Sequence, residues 1–271
     1  MKHDRVFSGQ RPGWTVRAVA TACVPLPVRR WLRAQQRRHR LQWARVGTVD
    51  FGDLRRTSPV SAVFGLDRGL AIDRYYMERF LSAWKSDIRG RVLEFGDARY
   101  TRQFGGAHVA RSDVHHSVAG NPQATIVADL TRADGIAADL FDCIICTQTL
   151  QLIYDVREAI VSLHRMLKSG GVVLATAPGI SQISNDQWRD TWYWSFTPLA
   201  ANRLLGESFG APNVEVEGVG NVLSATAFLQ GLASDELSVE ELDARDPAYP
   251  LVVTMKAVKV RVSGVNIAVP R

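Results

Sequence analysis

Cysteine is scarce in this chain: three residues among 271, at positions 23, 143 and 146. That rules out a disulfide-stapled framework. Long apolar runs are missing too. None approaches the roughly 20 residues that a membrane span needs. The stretch from Trp14 to Val28 is broken by Arg17 and ended by Pro25 and Pro27, and no small-residue cleavage site follows it, so it does not read as a secretory signal. A reducing cytoplasm is the expected compartment. No metal-ligand spacing occurs, and neither does a P-loop lysine motif or a nucleic-acid-binding motif, so neither metal nor nucleic acid is expected. Acidic residues are nearly absent from the first 56 positions, where 13 Lys/Arg face 3 Asp. That balance is +10 in a chain of +6, so residues 57–271 carry −4. The basic character therefore belongs to an extension and not to the domain behind it.

What remains is ordinary globular composition, 46% hydrophobic and 22% charged, enough for one sizeable α/β domain. Residues 1–60 read as a basic extension and linker, and 61–271 as the domain. Residues 29–45, rich in Arg and Gln, favour a helix. Its apolar positions Trp31, Leu32, Leu41 and Trp43 do not form a continuous stripe. A solvated helix packed on the domain through its tryptophans is one reading. The other is a basic helix lying on an anionic glycan or, peripherally, on the inner face of an anionic membrane.

From Asp73 a helix is expected, with Ile72, Tyr76, Phe80 and Trp84 on its buried side. Short strands follow at Arg91–Phe95, Val109–Asp113, Ala124–Ala128, Phe141–Thr147 and Val172–Thr176. Cys143 and Cys146 fall inside the fourth, where alternation points them to opposite faces as buried thiols, not as a redox or zinc pair. Asp155 and Glu158 look like a capping box opening a helix with Val156, Ile160, Leu163 and Leu167 inward, stopped by Gly170 and Gly171. Further helices are expected at Pro198–Phe209 and Val222–Leu232, with strands at Asn213–Gly218 and Leu251–Val260. Strands alternating with helices make a doubly wound, mostly parallel sheet.

In such sheets the ligand lies beyond the carboxyl ends of the strands. Glu94 and Gly96 are expected there, with Asp113 placed for the two hydroxyls of a ribose. Asp129 and Leu130 suit an adenine, and Thr147 and Gln148 wall the other side. Trp188 to Phe196 is strongly aromatic and follows the fifth strand, so it should hang over the same edge, as a sugar-stacking surface or as a plug. His115 and His116 have the pKa range of a general base, and Asp190 is the alternative.

The string Val-Leu-Glu-Phe-Gly, then Asp113, Asp129-Leu130, Phe-Asp-Cys-Ile-Ile-Cys-Thr-Gln-Thr-Leu and Leu-Lys-Ser-Gly-Gly-Val-Val-Leu-Ala resembles the class I S-adenosylmethionine-dependent methyltransferases, over about residues 70–260. The resemblance implies a seven-stranded Rossmann-like sheet and S-adenosylmethionine as cofactor. It implies Glu94, Gly96, Asp113, Asp129, Leu130, Thr147 and Gln148 around that cofactor, with Arg74, Tyr75, Trp192 and Tyr193 at the mouth; where the glycine turn departs from the family, Arg99 is expected to meet the cofactor carboxylate instead. The segment Asp190-Thr-Trp-Tyr-Trp-Ser-Phe-Thr-Pro is similar to methyltransferases of bacterial glycan and polysaccharide pathways. That implies a sugar or glycan hydroxyl as acceptor, with a small metabolite or a non-catalytic scaffold as rivals. One departure stands out: the family's glycine-rich turn reads Glu94-Phe-Gly96-Asp-Ala98-Arg99-Tyr100 here, keeping only its first glycine.

Overall fold

The computed structural model describes residues 25–39, 46–132 and 135–260. The chain divides into two compact units, 1–56 and 57–271. In the first, helix α1 spans Leu26–Arg38. The Leu41 and Trp43 end of the expected helix lies outside the described residues.

The second unit is built on seven strands: β1 (Gly90–Phe95), β2 (Val109–His116), β3 (Ile126–Val127), β4 (Phe141–Thr147), β5 (Leu167–Pro178), β6 (Val214–Val219) and β7 (Val252–Val258). Their order in the sheet is β3-β2-β1-β4-β5-β7-β6. The pairings from β3 through β5 are parallel, and both pairings of β7 are antiparallel. This is the expected mostly parallel sheet with one reversed strand near its edge.

Strand β4 is nearly all apolar because both its faces are covered. On one side α3 (Val156–Met166) and α4 (Pro198–Phe209) pack Ile160, Leu163, Leu205 and Phe209 with Ile144 and Cys146. On the other, α2 (Ile72–Ala83) and α5 (Val222–Leu229) pack Met77, Leu81 and Phe228 with Ile145 and Cys143. The two thiols thus occupy opposite faces, buried and free, and burial raises both pKa values so that they stay protonated.

Local chemistry explains most element ends. Thr197 caps α4 by accepting from the Ala200 amide, with Pro198 at its first position. Asn221 and Ser224 close a capping box on α5. The box expected at Asp155 does not form, since the Asp155 side chain makes no cap bond, and α3 ends at Met166 because Leu167 already enters β5. Helix α2 buries Ile72, Tyr76, Met77 and Leu81, while Phe80 and Trp84 stay partly exposed. The inward stripe is therefore rotated by about one residue from a strict four-residue repeat.

Candidate active site at the carboxyl edge of the sheet

The first three parallel strands end in polar groups, and one of these ends is not where the sequence put it. Register pairs Leu93 with Asp113 and Phe95 with His115, so β2 runs three residues further than expected. Asp113 is thereby carried back into the sheet. It is 1% exposed. It accepts from Arg91 Nε at 2.7 Å, from Arg111 at 3.2 Å and from the Thr125 hydroxyl at 3.2 Å. It is a buried structural carboxylate outside the cavity, and the positions at the carboxyl edge of β2 belong to His115, His116 and Ser117.

A cavity of about 700 Å³ opens along that edge. Its floor is the turn after β1. Glu94 is buried and accepts from the Tyr100 and Thr101 amides at 2.9 and 2.7 Å, so both carboxylate oxygens serve to order the turn. Burial raises its pKa against those hydrogen bonds. Gly96 sits at φ +87 with open space where a Cβ would be. The Asn121 amide clips the β2–β3 loop to the Gly96 carbonyl at 2.6 Å. Of the two replaced glycines, Ala98 is buried, and Tyr100 stacks on Phe104 while its hydroxyl accepts from Arg74 Nη1 at 3.0 Å. Arg99 lines the cavity with its guanidinium donating to Glu78 at 3.0 Å.

Beyond β3, Asp129 accepts from the Thr131 amide and hydroxyl, which hold its carboxyl below the usual range, and Leu130 lies buried beside it. After β4, Thr147 and Gln148 line the cavity. Gln148 takes the left-handed conformation, φ +45, costly for a residue with a Cβ, and its amide donates to Thr176 O at 2.8 Å. Gln151 Nε2 donates to Gln148 Oε1 at 3.2 Å.

The aromatic segment does hang over this edge. The Tyr193 amide donates to Gln151 O, the Trp194 indole to Ile153 O, and the Phe196 amide to Pro178 O. Trp188, Trp192 and Tyr193 line the cavity, and Trp192 stacks on Phe64 at 6.4 Å. Asp190, by contrast, is exposed in a short helical turn outside the cavity, so it is not positioned as a base. Tyr75 also falls outside, because its hydroxyl turns away to donate to Asp243 at 2.8 Å. Its neighbour Arg74 lines the cavity, and so does Asp73, which in the sequence marks only the opening of a helix. Burial pushes the Asp73 carboxyl up, more strongly than the adjacent Arg74 charge pulls it down. An acid at the first turn of an amphipathic helix signals a cap in sequence, which is why this role was not legible there.

His115 is 3% exposed and packs its ring on Phe95. Burial lowers its pKa to about 4, so it is neutral at physiological pH. A histidine that prefers neutrality when folded gives its full stability above about pH 6.5 and loses it as pH falls toward 4. His115→Phe should therefore remove on the order of 3 kcal/mol of the stability lost between pH 7 and 4. Urea unfolding of both proteins across that range measures it; parallel pH dependences would refute the assignment.

Two buried polar atoms in the cavity wall, His115 Nε2 and Gln151 Oε1, lack protein partners. Orphaned buried polar atoms are costly, and at a cavity wall they point to a polar ligand. S-adenosylmethionine fits the set. The open Gly96 turn takes close backbone approach. Asp129 and Leu130 suit the adenine. At the end of β2 the cavity is lined by His116 and Ser117 and not by a carboxylate.

Comparison with known proteins touches this region at the level of a sequence family. The sequence family described as "Methyltransferase domain" matches residues 93–175, from β1 into β5. No curated protein matches the chain. Solved structures that resemble it include a SAM-dependent methyltransferase from Archaeoglobus fulgidus, 12% identical over 69% of this chain and 94% of that one, TM-score 0.47. YcgJ of Bacillus subtilis is 14% identical over 69% and 99%, TM-score 0.41. A phosphoethanolamine N-methyltransferase of Haemonchus contortus is 14% identical over 74% and 61%, TM-score 0.45. The family match thus covers the strand ends and turns from β1 to β5 that line the cavity.

Proposed function

We propose that the chain methylates a hydroxyl group of a sugar or glycan. The observation that carries this reading is the acceptor side of the cavity. Trp188, Trp192 and Tyr193 line it, and at its rim the exposed Tyr154 stacks on Trp194 at 6.1 Å and meets Tyr193 edge-on at 5.4 Å. Aromatic faces of this kind pack on the apolar faces of pyranose rings. Ser181, Ser184, Asp186 and Gln151 interleave with them and supply the donors and acceptors that a polyhydroxylated ligand needs.

S-adenosylmethionine, when bound, supplies an electrophilic methyl group on a sulfonium. The protein's part is to align the acceptor and to take its proton. With the cofactor bound, an acceptor oxygen would take its methyl group with S-adenosylhomocysteine as the other product, and the chain's own part is a carboxylate that takes the hydroxyl proton. Asp73 suits that role. It lines the cavity on the helix whose Met77 touches Gln148, beside the turn after β4. The histidines sit at the end of β2, which is separated from β4 by β1.

Two measurements test this. Calorimetric titration should show binding of S-adenosylmethionine and S-adenosylhomocysteine; no binding at millimolar ligand promotes the scaffold reading. Methyl-labelled cofactor with a panel of glycans and small metabolites should label carbohydrate only. The label should survive mild alkali, as a methyl ether does and an ester does not. Label on non-carbohydrate acceptors alone would move the assignment to a small-metabolite enzyme.

A further inference from the structure

We propose that helix α1 is a peripheral anchor that lies on an anionic lipid surface with its apolar face inserted. Among the described residues no helix is long and apolar enough to cross a membrane. The helix reads Leu-Pro-Val-Arg-Arg-Trp-Leu-Arg-Ala-Gln-Gln-Arg-Arg. At 100° per residue, Val28, Trp31, Leu32 and Gln35 fall within one third of its circumference. The arginines at 29 and 30 fall on the opposite side, and the helix contains no acid. This stripe becomes visible once the helix is seen to begin at Leu26, since Val28 completes the i, i+3, i+4 set that Trp31 and Leu32 left open. Trp31 is 60% exposed, and Leu26, Val28 and Leu32 are exposed with it.

Charge and apolarity together select the occupant. Five arginines in thirteen residues, within an extension of balance +10, complement a surface of anionic headgroups. A nucleic acid would satisfy the arginines but would leave Trp31, Leu32 and Val28 in water. An interfacial helix uses both faces, apolar side in the acyl boundary and basic side at the headgroups. The inference stands apart from the acceptor chemistry of the cavity, although a membrane-borne glycan would be brought within reach by it.

Sedimentation of the full chain with vesicles tests it. The protein should pellet with phosphatidylcholine vesicles holding about 30% phosphatidylglycerol, should stay in solution with phosphatidylcholine alone, and should be released by salt. Arg30→Glu with Arg37→Glu should weaken partitioning by at least about fivefold per position, and Trp31→Ser with Leu32→Ser should weaken it comparably. Both pairs leave the domain core untouched, so cofactor binding by calorimetry reports that the variants are folded. No pelleting with anionic vesicles overturns the proposal. So does pelleting that the Trp31/Leu32 pair leaves unchanged, or that duplex DNA abolishes equally in wild type and in that pair, since the helix would then be a general polyanion binder.

Discussion

Replacing Asp113 with alanine is expected to lower the unfolding free energy by about 3 kcal/mol while leaving affinity for S-adenosylmethionine within a few-fold of wild type. The carboxylate is buried in mid-sheet, between Arg91 of β1 and Thr125 of the β2–β3 loop. Truncation leaves the Arg91 guanidinium, itself only 23% exposed, facing an apolar hole without its counter-charge. Arg111 adds little to the cost, because at 61% exposure its pairing is screened by solvent. Urea denaturation gives the stability, and calorimetry well below the melting temperature gives the affinity. A variant of undiminished stability that no longer binds cofactor would mean that Asp113 reaches the ribose after all, and that the register of β2 against β1 is wrong.

The same residue shows where sequence reasoning stopped. Strands β4 and β5 were legible because continuous apolar runs between turn residues have few other readings, and Pro198–Phe209 because a Thr-Pro cap precedes it. Strand β2 was not. Arg111, Ser112, Asp113, His115 and His116 have the composition of a loop, and they form a strand because Arg91, 22 residues upstream of Asp113, neutralises the acid among them. A non-local ion pair leaves no periodic trace. The same holds for Tyr75 and Asp190, whose side chains answer to Asp243 and to solvent. In contrast, the altered glycine turn was plain in the sequence, but its consequence was not. Tyr100 replaces a glycine without closing the turn because its ring stacks on Phe104 and its hydroxyl accepts from Arg74.

Asp73→Asn carries the larger catalytic consequence. General-base assistance contributes about 10²–10⁴-fold to such reactions, so kcat should fall by that order. Binding of S-adenosylmethionine should change little, and stability should hold or rise, since the amide removes a charge whose burial is unfavourable. The pH profile separates a base from a mere structural acid. Burial raises the Asp73 pKa, so protonation on mild acidification removes the working form. Wild-type activity should accordingly fall on its acid side through a pH above the usual carboxylate range, and the asparagine variant should lose that limb. If the variant keeps wild-type kcat, the proton goes elsewhere. His116 is then the next candidate, with one ring nitrogen held 2.8 Å from the Val118 carbonyl at the edge of β2. His116→Gln losing rate where Asp73→Asn does not would move the reacting hydroxyl from the α2 side of the cavity to the β2 side, and with it the surface on which the acceptor is recognised.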